Sequence, residues 1–279
     1  MRTLYGGLVS KIRIGILVSG GGTNAQAIID ACEAGRINGR VVFVGSDNPD
    51  AYGLERSKKH NIPTFVVDYK KIARRYDEGI ADLIPKDFNL NEILKKQTLF
   101  PLTEDPAKLA RFFSIRAAAE DALMREMAPY PFDLLVLAGF MRTLSPYFID
   151  KINPSPLHPR IMNIHPALLP AFPGTDGYGD TLRYGCKIGG CTVHFIDYGE
   201  DSGAIIGQKA FEITPTDTIE TIKEKGLCLE WNLYVNCIQL FAEGKLRVKR
   251  QTYELKGGRK VQGTVVEIIS KNQTDHEDV

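Results

Sequence analysis

Residues 13–24 of the chain read Arg13-Ile14-Gly15-Ile16-Leu17-Val18-Ser19-Gly20-Gly21-Gly22-Thr23-Asn24. The first part of this stretch is short and almost wholly apolar, as in a parallel strand that is buried on both faces. The glycines then make a turn, and apolar residues from Ala27 to Cys32 continue as a helix that ends near Gly35. The stretch therefore predicts a strand, a loop and a helix in succession.

The same alternation continues along the chain. Further strands are predicted at residues 41–44, 64–67, 133–138, 161–164, 191–196 and 204–210. Helices are predicted at residues 53–60, 116–127 and 218–241, the last with Asp217 as its N-terminal cap and Gly244 as its stop. Alternating strands and helices predict a doubly wound, mostly parallel α/β sheet, which we expect to form a single domain over residues 1–279.

Two segments interrupt or extend this pattern. Residues 69–113 are charged and weakly periodic, so we expect an insertion that forms a helical excursion or a flap. Residues 249–279 form a C-terminal extension. Within residues 246–269 we expect antiparallel edge strands that turn at Gly257-Gly258, followed by a polar tail.

Composition excludes several classes of protein. The chain has 279 residues with 35 Lys and Arg against 34 Asp and Glu, and its net charge of +1 creates no field to attract nucleic acid or an anionic membrane. The apolar run in Met1–Lys11 is too short for a signal-peptide core, and we expect a cytoplasmic enzyme. The five cysteines are scattered without a C-x-x-C pair, so we expect no metal site.

The glycine-rich loop has three interpretations. Backbone N–H groups at the positive end of a helix dipole suit a phosphate, and Gly22, Thr23 and Asn24 are the natural contacts. The stretch Gly20–Ala25 also satisfies the G-x-G-x-x-A dinucleotide fingerprint, with Asp47 placed to bind a ribose. A tight turn without any ligand is the third interpretation.

A second polar pair lies at the end of an apolar strand. Asn163 and His165 are two residues apart, so their side chains point the same way, and Pro166 ends the strand. Ligands of open α/β sheets gather at the carboxyl ends of strands. Taken alone, a histidine in this position is more often a hydrogen-bonded structural residue than a catalytic one.

The surrounding residues resemble a known family. Asn163-x-His165-Pro166-x-Leu168-Leu169-Pro170, followed by Pro173-Gly174, resembles the signature of the folate-dependent formyltransferases. Gly190–Phe195 with Asp201-Ser202-Gly203 is similar to their second motif. Residues 19–24, 27–32, 51–56 and 137–142 resemble the branch that formylates phosphoribosylglycinamide. The resemblance covers residues 11–68 and 114–248, and it implies a Rossmann-like formyltransferase fold with an antiparallel C-terminal part.

The resemblance implies acyl transfer in purine biosynthesis. The amine of phosphoribosylglycinamide would attack the formyl carbon of 10-formyltetrahydrofolate, and Asn163 and His165 would stabilise the oxyanion without a metal. Asp201 would favour the protonated imidazole of His165. His165 would then deliver a proton to the departing folate nitrogen. His194 is as compatible with a structural role as with a catalytic one.

The resemblance also implies binding residues. Glu230 would bind ribose hydroxyls; the alternative interpretation of this residue is a solvated acid on a helix. Arg116 would bind folate; the alternative interpretation is a helical residue without a ligand. The acceptor substrate would contact Gly22, Thr23, Asn24, Leu227, Cys228, Leu229 and Glu230. The folate co-substrate would contact Arg116, Met141, Arg142, Thr143, Leu144, Asn163, Asp197, Tyr198, Gly199, Glu200 and Asp201.

One departure from the family leaves the acceptor open. Tyr178 stands where the family usually has a histidine, and a tyrosine cannot carry that positive charge. A formyltransferase for another amine, such as an amino sugar nucleotide, is therefore an alternative.

Other functions fit less of the sequence. A nicotinamide-dependent oxidoreductase or a non-catalytic folate or nucleotide-binding protein would leave the Asn163–Pro170 motif without a role. Methionyl-tRNA formylation would need a basic nucleic-acid domain. Formyltetrahydrofolate hydrolases carry an N-terminal regulatory domain, whereas the first strand here begins at Arg13.

Overall fold

A seven-stranded sheet forms the centre of the protein in a computed structural model, which describes residues 10–101 and 103–269. The strand order is β3-β2-β1-β4-β5-β6-β7. Strands β1 to β5 pair in parallel, and β6 and β7 are antiparallel. The bounds are β1 Ile12–Val18, β2 Gly39–Ser46, β3 Thr64–Val66, β4 Leu134–Leu137, β5 Ile161–His165, β6 Ile188–Phe195 and β7 Ile205–Glu212. The predicted fold class is confirmed.

Helices cover both faces of this sheet. Their bounds are α1 Thr23–Glu33, α2 Tyr52–Lys59, α3 Tyr69–Asp77, α4 Leu90–Lys96, α5 Pro106–Met127, α6 Pro146–Ile152, α7 Gly177–Arg183 and α8 Ile219–Ala242. Among the described residues, none of these helices is both long and apolar enough to cross a bilayer.

The first strand is buried on both faces, as its apolar run predicts. Ile14 and Ile16 pack in the core under α1 and α8, and Leu17 packs in the core under α5. All three side chains are fully buried. Burial of each such side chain contributes about 1.5–3 kcal/mol, so this strand anchors both layers of helices.

The predicted insertion is helical. It contains α3, a 3₁₀ turn at Ala81–Leu83, α4 and the start of α5. The prediction that the following helix begins at Arg116 is wrong, because α5 begins at Pro106. Asp105 caps its N-terminus by accepting from the N–H of Ala107, and proline fits the first helical position. Leu109 and Phe113 then bury one face of this turn against α4 and α6.

The cap of α8 was predicted one residue too early. Thr218 is the cap, and it exchanges hydrogen bonds with Thr221, whose N–H donates to the Thr218 hydroxyl. Asp217 instead accepts from the Nζ of Lys225 at 2.6 Å and from the backbone N–H of Thr214. Helices α6 and α7 were not predicted.

The C-terminal strands form a sheet of their own. β8 Leu246–Glu254 and β9 Lys260–Ile268 pair in antiparallel register, with Gly257 and Gly258 in the turn at positive φ. The predicted hairpin is therefore confirmed, but its strands are not edges of the central sheet. The predicted polar tail, residues 270–279, lies outside the described residues.

Candidate active site

A cleft opens at the carboxyl ends of β4 and β5, where the parallel part of the sheet meets the antiparallel part. Its walls are the segment after β4, the end of β5 and the loop after β6. Of the residues predicted to bind folate or to catalyse, the cleft is lined by Met141, Arg142, Thr143, Leu144, Asn163, His165, Asp197, Gly199, Glu200 and Asp201.

Asn163 and His165 both line this cleft, as their two-residue spacing on β5 predicts. His165 is 2% exposed and lies between two acceptors. Its Nδ1 lies 3.2 Å from Oδ2 of Asp201, and its Nε2 lies 2.7 Å from the carbonyl oxygen of Phe172. Because both acceptors can be satisfied only by N–H groups, this geometry favours the doubly protonated imidazole.

Asp201 lies beside His165 in a left-handed backbone conformation. Its φ of 49° lies in the left-handed region, which aspartate tolerates better than most residues. Burial raises its pKa, but interactions with His194, the backbone N–H of Gly174 and the His165 imidazole outweigh burial, and the net shift is downward. Asp201 therefore stays ionised near neutral pH as the counter-charge of His165.

His194 belongs to the same constellation. It is fully buried on β6, directly across from Asn163 in the β5–β6 pairing. Its Nδ1 lies 2.9 Å from the carbonyl of Phe195, and its Nε2 lies 3.2 Å from Nδ2 of Asn163. Asp201 Oδ1 is farther from this Nε2, at 3.6 Å. His194 thus orients the Asn163 amide and leaves its second N–H free.

The segment that follows β4 is held by hydrogen bonds to Ser19 and Asp47. The Ser19 hydroxyl accepts from the N–H of Met141 at 2.8 Å and donates to Asp47 at 2.5 Å. Arg142 Nε donates to the other oxygen of Asp47, also at 2.5 Å. Asp47, considered above as a ribose-binding acid for a dinucleotide, therefore has both oxygens engaged in shaping the cleft.

Glu120 on α5 fixes the end of the same segment. This carboxylate is fully buried and accepts from both the N–H and the hydroxyl of Ser145, at the start of α6. Burial raises its pKa to about 7, although the Ser145 hydrogen bonds and the charge of Arg116 oppose the shift. The sequence predicted a role for neither Glu120 nor Ser145, since a buried glutamate in a helix has no local signature.

The raised pKa of Glu120 predicts a pH dependence of stability. The contribution of protonated Glu120 is complete below pH 4.5 and is lost as pH rises through about 7, because the unfolded chain ionises more readily. We expect the free energy of unfolding of Glu120→Gln, relative to the unchanged protein, to rise by roughly 3 kcal/mol across that window. Urea titrations at several pH values measure this difference. The exposed Glu126→Gln serves as the control, and parallel curves for Glu120→Gln would contradict the assignment.

Two predicted folate residues lie beside the cleft. Arg116 lines an adjoining cavity between α3 and α5, where its guanidinium lies 5.4 Å from the ring centre of Tyr69. Its Nη1 is buried without a hydrogen-bond partner among the described residues. Arg142 lines both spaces, so the two are neighbours. The Tyr198 hydroxyl donates to Asp150, and its ring packs against the core under α5.

The predicted acceptor residues converge at a second place. Gly22 precedes α1 with a φ of 68°, and a Cβ there would lie 2.5 Å from the Cα of Gly53, so only glycine fits. No side chain caps α1, so the N–H groups of its first turn stay available to an anion. Asn24 Nδ2 donates to Oε2 of Glu230 at 2.7 Å, which joins the glycine loop to α8.

The rest of the predicted α8 segment has mixed exposure. Glu230 is only 5% exposed, which excludes the solvated helical acid. Leu229 packs against the core, Leu227 is half-buried and Cys228 is exposed.

Within the part of the chain that the structure describes, no group of three or more His, Cys, Asp or Glu side chains could hold a metal ion.

Comparisons with known proteins agree with this geometry. Residues 12–238 match the family model described as formyl transferase. A phosphoribosylglycinamide formyltransferase of Haemophilus influenzae is 33% identical over 245 residues, covering 88% of this chain and 94% of the relative. The trifunctional purine biosynthetic protein adenosine-3 of Chironomus tentans is 31% identical over 86% of this chain, which spans only 14% of that relative.

A solved structure agrees as well. The crystal structure of glycinamide ribonucleotide transformylase 1 from Symbiobacterium toebii is 34% identical, has a TM-score of 0.68, and covers 96% of this chain and 99% of its own. The chain therefore belongs to the formyl transferase family.

Proposed function

We propose that the protein transfers the formyl group of 10-formyltetrahydrofolate to the amine of phosphoribosylglycinamide, a step of purine biosynthesis. The observation that carries this proposal is the placement of Asn163, His165 and Asp201 in one cleft, with His165 held between two acceptors at 2.7 and 3.2 Å. The names of the relatives above support the same acceptor.

The chemistry follows from the free donors of the cleft. The acceptor amine attacks the formyl carbon, and the carbonyl electron pair moves onto oxygen. The second N–H of Asn163 and the Nε2–H of His165 stabilise this oxyanion, each by about 3 kcal/mol. For His165 to do so, the substrate must displace the Phe172 carbonyl from its Nε2.

Collapse of the intermediate requires two proton movements. As the bond from carbon to the folate nitrogen breaks, His165 gives a proton to that nitrogen, and the attacking ammonium returns a proton to His165 directly or through water. Asp201 keeps the imidazole oriented and favours its protonated form. The products are tetrahydrofolate and the formylated amide.

Binding of the two substrates follows from the two sites. The acceptor's phosphate would bind at the first turn of α1, at Gly22, Thr23 and Asn24, with its ribose hydroxyls at Glu230. The folate would lie along the segment Met141–Leu144 and against the loop after β6, at Asp197–Asp201, with Arg116 available in the adjoining cavity for its anionic end. In this proposal the acceptor amine reaches Asn163 and His165 from the site at α1.

The proposal is tested by acceptor-dependent turnover. Purified protein is mixed with 10-formyltetrahydrofolate alone, with phosphoribosylglycinamide, or with an amino sugar nucleotide. Tetrahydrofolate is followed by absorbance and the acceptor by mass. We expect formylated phosphoribosylglycinamide and no turnover without an acceptor. Turnover without acceptor would indicate a hydrolase, and formylation of the amino sugar alone would replace the proposed acceptor.

A further inference from the structure

Tyr178 contacts the predicted ribose acid directly. This residue lies on α7 and is 5% exposed. Its hydroxyl donates to Oε1 of Glu230 at 2.6 Å, while Asn24 donates to Oε2 at 2.7 Å. The Glu230 carboxylate therefore receives one donor on each oxygen, from α7 on one side and from α1 on the other.

Gly226 makes room for this tyrosine. It lies four residues before Glu230 on α8, and thus on the same face of the helix. A Cβ at Gly226 would lie 2.1 Å from both Cζ and the hydroxyl oxygen of Tyr178. Glycine is otherwise a poor residue for a helix interior. The absence of a side chain at this position is what allows the tyrosine ring to reach Glu230.

The orientation of the Asn24 amide depends on the same carboxylate. An ionised carboxylate only accepts hydrogen bonds, so the amide nitrogen must face Glu230 and Oδ1 must face away. That oxygen is buried and has no hydrogen-bond partner among the described residues. Glu230 is thus what fixes the side chain of Asn24, whose backbone lies in the first turn of α1.

We propose that Tyr178, seated on Gly226, is a positioning residue that holds Glu230, and through it Asn24, in the geometry that binds the phosphoribosyl part of the acceptor. This inference rests on the proposed function and adds a determinant of acceptor affinity. At this position the family usually carries a histidine, whereas Tyr178 supplies a neutral hydrogen-bond donor. Burial, together with the charge of Glu230, raises the pKa of Tyr178, so its hydroxyl remains a donor throughout the neutral range.

Removing the hydroxyl alone tests this role. In Tyr178→Phe the ring still fills the space over Gly226, but Glu230 loses one buried donor and its side chain becomes free to turn. A hydrogen bond to a charged group is worth about tenfold in affinity. We therefore expect KM for phosphoribosylglycinamide to rise about tenfold. We expect kcat and KM for 10-formyltetrahydrofolate to stay unchanged, because Asn163 and His165 are untouched.

A second variant removes the seat and keeps the hydroxyl. Gly226→Ala adds a methyl group where the ring of Tyr178 lies, so we expect the same selective rise of KM for the acceptor. The control is Tyr184→Phe, which removes a hydroxyl from a tyrosine that is 80% exposed at the end of α7. Thermal unfolding of each variant separates loss of fold from loss of affinity.

The outcomes distinguish this inference from the function on which it rests. If the unchanged protein formylates phosphoribosylglycinamide but Tyr178→Phe has the same KM for it, the positioning role is wrong and the function stands. A fall in kcat together with similar rises in both KM values would indicate a merely structural residue and would also overturn the positioning role. If the unchanged protein does not use this acceptor at all, both fail.

Discussion

Substitution of His165 by alanine is expected to lower kcat by about 10²–10⁴-fold, the range that a positioned general acid contributes. The imidazole lies against Asp201 and lines the cleft, and its Nε2 is already engaged as a donor to the carbonyl of Phe172. In the proposed mechanism, alanine removes the proton donor and one of the two oxyanion contacts. The proposed binding of either substrate depends on other residues, so both KM values should change little.

Steady-state formyl transfer with phosphoribosylglycinamide measures this loss. His158→Ala is the matched control, since His158 is exposed, its Nδ1 lies 2.8 Å from the hydroxyl of Ser155, and it does not line the cleft. The control should retain full kcat. Near-normal turnover of His165→Ala would remove the general-acid role and leave oxyanion stabilisation to Asn163.

The second large effect is expected from Asp201→Asn, with a fall in kcat of about 10²–10⁴-fold. Asparagine has nearly the same shape and also tolerates the left-handed backbone at this position, where φ is 49°. The loop and the hydrogen bond from the N–H of Gly174 should therefore persist. What disappears is the negative charge beside Nδ1 of His165, so the imidazole loses its counter-charge.

Comparison at several pH values separates charge from geometry. If Asp201 acts through its charge, the deficit of Asp201→Asn should vary with pH. Asp133→Asn is the control: Asp133 pairs with Arg13 at 3.1 Å just before β4, away from the cleft, and its loss should lower Tm without changing kcat. A deficit that is constant across pH would indicate that the orientation of the ring, rather than its charge, depends on Asp201.

Much of the fold was predictable because its signals are local. A strand buried on both faces is a continuous apolar run, as in Ile14–Val18, and a glycine with positive φ marks the turn before α1. The start of α5 was missed because the apolar side chains of its first turns are buried by neighbouring helices and not by the central sheet. Leu109 and Phe113 pack against helical residues of the insertion. The Asp217 cap was wrong because two adjacent polar residues offer similar local chemistry, and their partners at Thr221 and Lys225 decide between them.

The sequence by itself determined that Asn163 and His165 share one face of a strand, because side chains alternate along any extended chain. It also indicated that the loop from Gly20 to Asn24 presents free N–H groups, because the glycine before α1 has no side chain that could cap the helix.

Only the tertiary structure decided what these groups meet. His194 reaches Asn163 through the register of β6 on β5, and Asn24 meets Glu230 across 206 residues of chain. Such contacts depend on strand order, register and helix packing, which are set by burial of the whole core. The sequence near either residue therefore shows no periodic pattern or motif that reports the contact.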